Sequence, residues 1–112
     1  VKTSLVQSAG NVVLVSLSGR MDSAGVQAAS DEFKGLVTSA GRNTVIDMSG
    51  VEFMASVGMR LFIEAQKNLD EKGAKLVLAA ARPLVEEGLR IAGIDKMVTT
   101  TSDVPAAMAL FD

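Results

Sequence analysis

The sequence predicts an α/β fold on a mixed, mostly parallel sheet, with the element order β-β-α-β-α-β-α-β-α. Two observations carry this. Apolar runs of strand length, at residues 12–17, 44–48 and 75–80, alternate with segments whose apolar residues recur at helical spacing. Single short helices between such strands imply right-handed crossovers and parallel neighbours. The 112 residues are enough for one core and too few for a second, so residues 1–112 are expected to form one domain.

The elements follow in order. Residues Thr3 to Gln7 and Val12 to Leu17 read as two strands joined by a tight turn at Ala9, Gly10 and Asn11. A hairpin makes the first strand antiparallel, at or near an edge. Val13, Val15 and Leu17 alternate with Val12, Leu14 and Ser16, which predicts burial on most of both faces of the second strand. Ser18 to Ser23 then breaks the pattern with small and polar residues, and a helix is expected from about Ala24 to Ser39. Its inner positions are Val26, Ala29, Phe33, Leu36 and Val37, and Gly41 lies just past its end. Thr44 to Met48 is the third strand. Ser49 and Gly50 look like turn formers.

A second helix is expected from about Val57 to Glu71. Its inner stripe is Leu61, Phe62, Ala65 and Leu69, with Ser56 as N-cap and Gly73 as stop. Lys75 to Ala80 is the fourth strand, Pro83 opens a third helix ending near Gly93, and Met97 to Thr100 is the fifth strand. Ser102 or Asp103 caps a last helix through Phe111.

Composition excludes several functions. The net charge of −2, from 11 basic and 13 acidic residues, supplies no field for nucleic acid. Aromatics are only 4%, with no Trp or Tyr on which bases could stack. The chain has no Cys and no His, which removes thiolate chemistry and the commonest general base and metal ligand. No apolar run approaches the roughly 18 residues of a membrane span. The expectation is a cytoplasmic protein without metal, cofactor, nucleic-acid or membrane partner.

Ligands of open α/β sheets gather beyond the C-terminal ends of the strands. Three loops are expected there: Ser18 to Ser23, Ser49 to Ser56, and Ala81-Arg82. They hold no nucleophile with a base beside it and no metal-binding carboxylate cluster, so the chain is read as a non-enzyme. Asp22 and Asp47 do not make a phosphorelay receiver, which needs an acidic pair after the first strand and a late Lys. No phosphate-cradling Gly-Lys-Ser/Thr follows Gly50 or Gly58. Asp47 fits a backbone-bonding role at a strand end, and Asp22 an N-cap of the first helix. Phe53 and Met54 are bulky apolar residues in an expected loop; they either plug the core or form a partner surface.

The stretch Asp47-Met48-Ser49-Gly50-Val51-Glu52-Phe53-Met54, followed by Ser56-x-Gly58-Met59, resembles the signature of the anti-sigma factor antagonist family, the STAS domain. That signature runs Asp-Leu-Ser-x-Val-x-Phe-Ile/Leu/Met-Asp-Ser-Ser/Thr-Gly-Leu. Upstream, Gly19-Arg20-Met21-Asp22 is similar to the family's Gly-x-Leu/Ile-Asp. The resemblance implies a bacterial switch protein that binds a serine-kinase anti-sigma factor. The residues it implicates are Arg20, Met21, Asp22 and Ser23, then Phe53, Met54, Ser56, Val57, Gly58, Met59 and Arg60. In the family the kinase phosphorylates the Ser/Thr directly before the Gly, and a serine phosphatase resets it.

Here that position is Val57, and the preceding Asp position is Ala55. Ser56 is the hydroxyl remaining at the loop tip and is read as the acceptor. The alternatives are an unphosphorylated scaffold module of a larger signalling complex, or a small-ligand sensor using the same loops.

Overall fold

The computed structural model describes residues 2–9 and 11–111. Five strands form one sheet: β1 (Lys2–Ala9), β2 (Val12–Met21), β3 (Asn43–Met54), β4 (Leu76–Ala79) and β5 (Thr99–Thr101). They lie in the order β1-β2-β3-β4-β5. β1 is antiparallel to β2 at the edge, and the remaining pairs are parallel, as the hairpin and the helical crossovers require. Gly10 of the expected turn lies outside the described residues.

The helices are α1 (Ser23–Phe33), α2 (Ser56–Glu71), α3 (Pro83–Ile91) and α4 (Val104–Ala109). α1 runs on into a π-helical turn over Lys34–Thr38, so the expected single helix has two parts. A 3-10 turn over Ile94–Lys96 takes up the approach to β5, which therefore starts at Thr99 rather than Met97. Asp103, not Ser102, caps α4: its Oδ1 accepts from the Ala106 N–H at 2.8 Å.

Two apolar layers explain why the central strands read apolar throughout. On one face Val13, Val15 and Leu17 of β2 join Ile46, Met48, Leu76 and Leu78 beneath α1, α2 and α3. Phe33 and Phe62 meet there with ring centroids 6.1 Å apart, and full burial of each such ring stabilises the fold by about 1.5–3 kcal/mol. On the other face Val12, Leu14, Val45, Val77 and Ala79 pack against Val104, Ala107 and Met108 of α4 and Phe111 just after it. The expected inner stripe of α2, Leu61, Phe62, Ala65 and Leu69, is buried in full.

The largest departure from expectation lies at the C-terminal ends of β2 and β3. The segments expected as loops, Ser18 to Ser23 and Ser49 to Ser56, are mostly strand: β2 continues to Met21 and β3 to Met54. β4 stops pairing with β3 at Ala79 opposite Asp47. Beyond it β2 and β3 go on, as a two-stranded parallel ribbon once β1 stops pairing at Ser18, with register shifts at residues 16–18 and 19–20 of β2. Such bulges add twist and re-aim the side chains that follow.

Small residues make the ribbon possible. Ser49 and Gly50 are strand residues rather than a turn. A Cβ on Gly50 would lie 2.8 Å from Ser18 Cβ and 2.9 Å from the Leu17 carbonyl oxygen. Gly50 is therefore required by space, because β2 passes too close for any side chain.

Candidate functional site

The ribbon ends beside the N-terminus of α2. Arg20 and Phe53 are register partners there. The Arg20 guanidinium lies over the Phe53 ring, 4.4 Å from its centroid, a distance at which the ring quadrupole attracts a cation. Its Nε is 3.6 Å from Asp22 Oδ2.

Asp22 caps α1, its Oδ1 accepting from the Gly25 N–H at 2.8 Å, which is the role its sequence position predicts. That backbone hydrogen bond is the main cause holding the Asp22 carboxyl below its ordinary pKa; partial desolvation opposes it, and the Arg20 charge adds to it. Ser23 follows as the first residue of α1 and is exposed.

Met21 joins the ribbon to α2. Its side chain is buried, and its carbonyl accepts from the Ala55 N–H at 3.0 Å. Gly58 lies against it: a Cβ there would sit 3.2 Å from Met21 Cβ and 3.4 Å from its carbonyl oxygen. A glycine at this point of α2 lets the helix start close against β2.

Ser56 is not the N-cap. Ala55 occupies that position in extended conformation, no side chain caps α2, and Ser56 is its exposed first residue. The expectation failed because Met54 extends the strand and the helix then begins one residue early. Val57 is half-buried against the core. Arg60 is exposed one helical turn after Ser56. Of the two bulky apolar residues, Met54 packs on the core, while Phe53 is 39% exposed.

The loop before α3 braces the ribbon. Arg82 Nε donates to the Ser49 carbonyl at 2.8 Å. The Ser49 N–H donates to Asp47 Oδ1 at 3.0 Å, the backbone-bonding role expected of Asp47. Ser49 is thus held on both sides just where β4 ends.

Sequence reasoning missed the contribution of α3. Phe53, Met54 and Met59 form one wall of a groove of about 160 Å3 whose other wall is Leu84, Val85 and Gly88. The available signal was Leu84, an apolar residue off the buried Val85 and Leu89 stripe and 75% exposed. Among the described residues no group of three His, Cys, Asp or Glu side chains could hold a metal ion. No helix among them is long and apolar enough to cross a membrane.

The sequence model of the family described as "Mlab, STAS domain" matches residues 4–99. BtrV of Bordetella bronchiseptica, named for an anti-sigma factor antagonist role, is 26% identical over 100 residues, covering 89% of this chain and 86% of BtrV. An anti-sigma-factor antagonist (STAS) domain protein from Planctomyces limnophilus superposes with a TM-score of 0.83 at 22% identity, over 98% of each chain. The Bacillus cell fate determinant SpoIIAA is similar in fold at 15% identity. Its unphosphorylated form gives a TM-score of 0.76 over 98% of this chain and 96% of that one. Its phosphorylated form gives 0.69 over 97% and 99%. With the family's sequence model spanning most of the chain and the sheet built as that fold requires, the chain belongs to the STAS domain family.

Proposed function

We propose that this chain is an anti-sigma factor antagonist. It binds a serine-kinase anti-sigma factor through the ribbon end, Arg20 to Ser23 with Phe53 and Met54, and through the start of α2, Ser56 to Arg60. The observation that supports this best is the Arg20–Phe53 stack beside an uncapped helix start. It leaves an aromatic face, a guanidinium and a hydroxyl exposed together, the mixture found in protein-binding surfaces. BtrV and SpoIIAA, named for the same role or solved with and without phosphate, point the same way.

Ser56 is the phosphate acceptor in this reading. It is exposed at the first position of α2, where about two added negative charges agree with the helix dipole and leave the fold intact. In a closed interface the same charge must be desolvated or repelled, and the complex breaks. A serine phosphatase then resets the protein, which works in the cytoplasm without catalysing a reaction itself.

The serine-kinase anti-sigma factors of the same organism, tested singly with ATP, decide the matter. One of them is expected to bind, to add a single phosphate mapped to Ser56, and then to release the product. A stable complex with no phosphate, or phosphate elsewhere, rejects Ser56 as the switch. No binding to any of them rejects the role.

Val57, directly before Gly58, favours a second reading in which the domain is a permanently bound, unphosphorylated module of a larger signalling complex. In that case the native protein elutes in one large assembly whose size ATP does not change.

A further inference from the structure

A second cavity, of about 190 Å3, borders another flank of α3 near the C-terminal ends of β4 and β5. Ligands of parallel sheets gather at such ends. Leu78, Ala81 and Leu89 give it an apolar wall, and the two leucines are buried. Glu86 and Arg90 of α3, Asp95 of the 3-10 turn, and Thr100 and Ser102 stand around that wall. Just past β4, Ala80 holds a left-handed φ of 60°, a strained conformation for a residue with a Cβ. Ala81 follows it onto the cavity wall.

The charges in this cavity are not spent on one another. Glu86 and Arg90 stand one helical turn apart, in the acid-before-base order that favours pairing. Yet among the described residues neither they nor Asp95 make an ion pair within 4.0 Å or a side-chain hydrogen bond. The Thr100 and Ser102 hydroxyls also have no partner among those residues. Both signs of charge and two hydroxyls therefore surround a small aliphatic pocket.

That set narrows the occupant by elimination. One guanidinium beside two carboxylates disfavours a phosphate or other multivalent anion. Among the described residues no three acidic, His or Cys side chains come together to hold a metal ion. A purely apolar molecule would strip water from the charges and give nothing in return. The volume also lies below the roughly 300–1,000 Å3 of sites for drug-sized ligands. A small zwitterion with an aliphatic body meets every condition.

We propose that this cavity binds a free aliphatic α-amino acid such as leucine. Arg90 receives the carboxylate, to which a guanidinium can offer two parallel N–H donors. Glu86 and Asp95 receive the ammonium group, and Leu78, Ala81 and Leu89 the side chain. This goes beyond the partner role, and neither reading needs the other.

The test is an amide NMR titration of the labelled protein with leucine, isoleucine, valine and methionine, each to about 10 mM, enough to fill a millimolar site. At least one is expected to shift amides of residues 78–81, 86–95 and 100–102 while leaving residues 43–46 unmoved. Glycine lacks the apolar body, 4-methyl-2-oxopentanoate the ammonium and 3-methylbutylamine the carboxylate. Each is expected to bind at least about tenfold more weakly than leucine, a comparison made on the parent protein alone. Arg90→Gln is expected to weaken leucine about tenfold and leave the amine unchanged. Glu86→Gln with Asp95→Asn is expected to weaken leucine and leave the oxo acid unchanged. All three side chains are exposed, so the variants should keep the parent's spectral dispersion. No shift with any amino acid, or leucine no tighter than glycine, the oxo acid or the amine, would overturn the proposal.

Discussion

At Gly50 the space for a side chain is missing rather than merely tight. The positions a Cβ would meet are backbone and Ser18 Cβ, neither of which can swing away. Gly50→Ala is expected to destabilise the protein by about 1–3 kcal/mol, the usual range for overpacking, measured by urea denaturation. Asp22 adds a pH dependence of known sign. Its folded-state pKa is depressed, chiefly by the Gly25 N–H, so it contributes stability above its unfolded pKa of about 3.9. That contribution disappears as pH falls through the lower folded value. Relative to Asp22→Asn, the parent should gain stability from pH 3 to pH 6 and change little above that. A gap that stayed constant over the whole range would contradict the assignment. Asp22 was legible in the sequence because a cap bonds three residues away along the same chain. The Arg20–Phe53 stack was not, because it depends on a register set by two bulges that no local pattern encodes.

At the scale of elements, the helices and the centres of the strands followed from periodicity, and the strand ends did not. Ser18-Gly19 and Ser49-Gly50 carry turn chemistry taken singly. In the fold Ser18 lies opposite Gly50 and Gly19 opposite Val51, so small residues on both strands allow one close, bulged crossing. Tertiary pairing thus overrides a local turn preference. The same extension moves the start of α2 and leaves Ala55 at a position that prefers Ser, Thr, Asp or Asn. Two substitutions test this. Ala55→Asp should stabilise the protein by about 1 kcal/mol by supplying the missing acceptor. Ser56→Ala should change stability by less than about 0.5 kcal/mol, as surface substitutions do. A loss of a full kcal/mol from Ser56→Ala would restore Ser56 as the cap.

For the molecule as a whole, the candidate site stands on the least supported part of the sheet. Val45 and Ile46 are fully buried between α4 on one face and α1, α2 and α3 on the other, with strands on both sides. Past Asp47 β4 has ended, and past Gly50, opposite Ser18 where β1 stops pairing with β2, the sheet narrows to two strands. An isolated two-stranded unit is marginal in water, so what keeps this ribbon in place must come from outside it. Three attachments are evident: the Met21 carbonyl bonded to the Ala55 N–H, Val51 buried in the core, and the Arg82 bond to Ser49. Of these, Arg82 is the exposed one and can be removed without opening the core. Native-state hydrogen exchange should therefore show residues 50–54 opening at lower free energy than Val45, Ile46, Val77 and Leu78, which exchange through global unfolding. Arg82→Ala should speed exchange across residues 49–53 by about tenfold, the equivalent of one hydrogen bond of roughly 1.4 kcal/mol, while the central strands slow or quicken only with global stability. Uniform exchange along β3 in both proteins would mean that the ribbon belongs to the core and that Arg82 does not position the site.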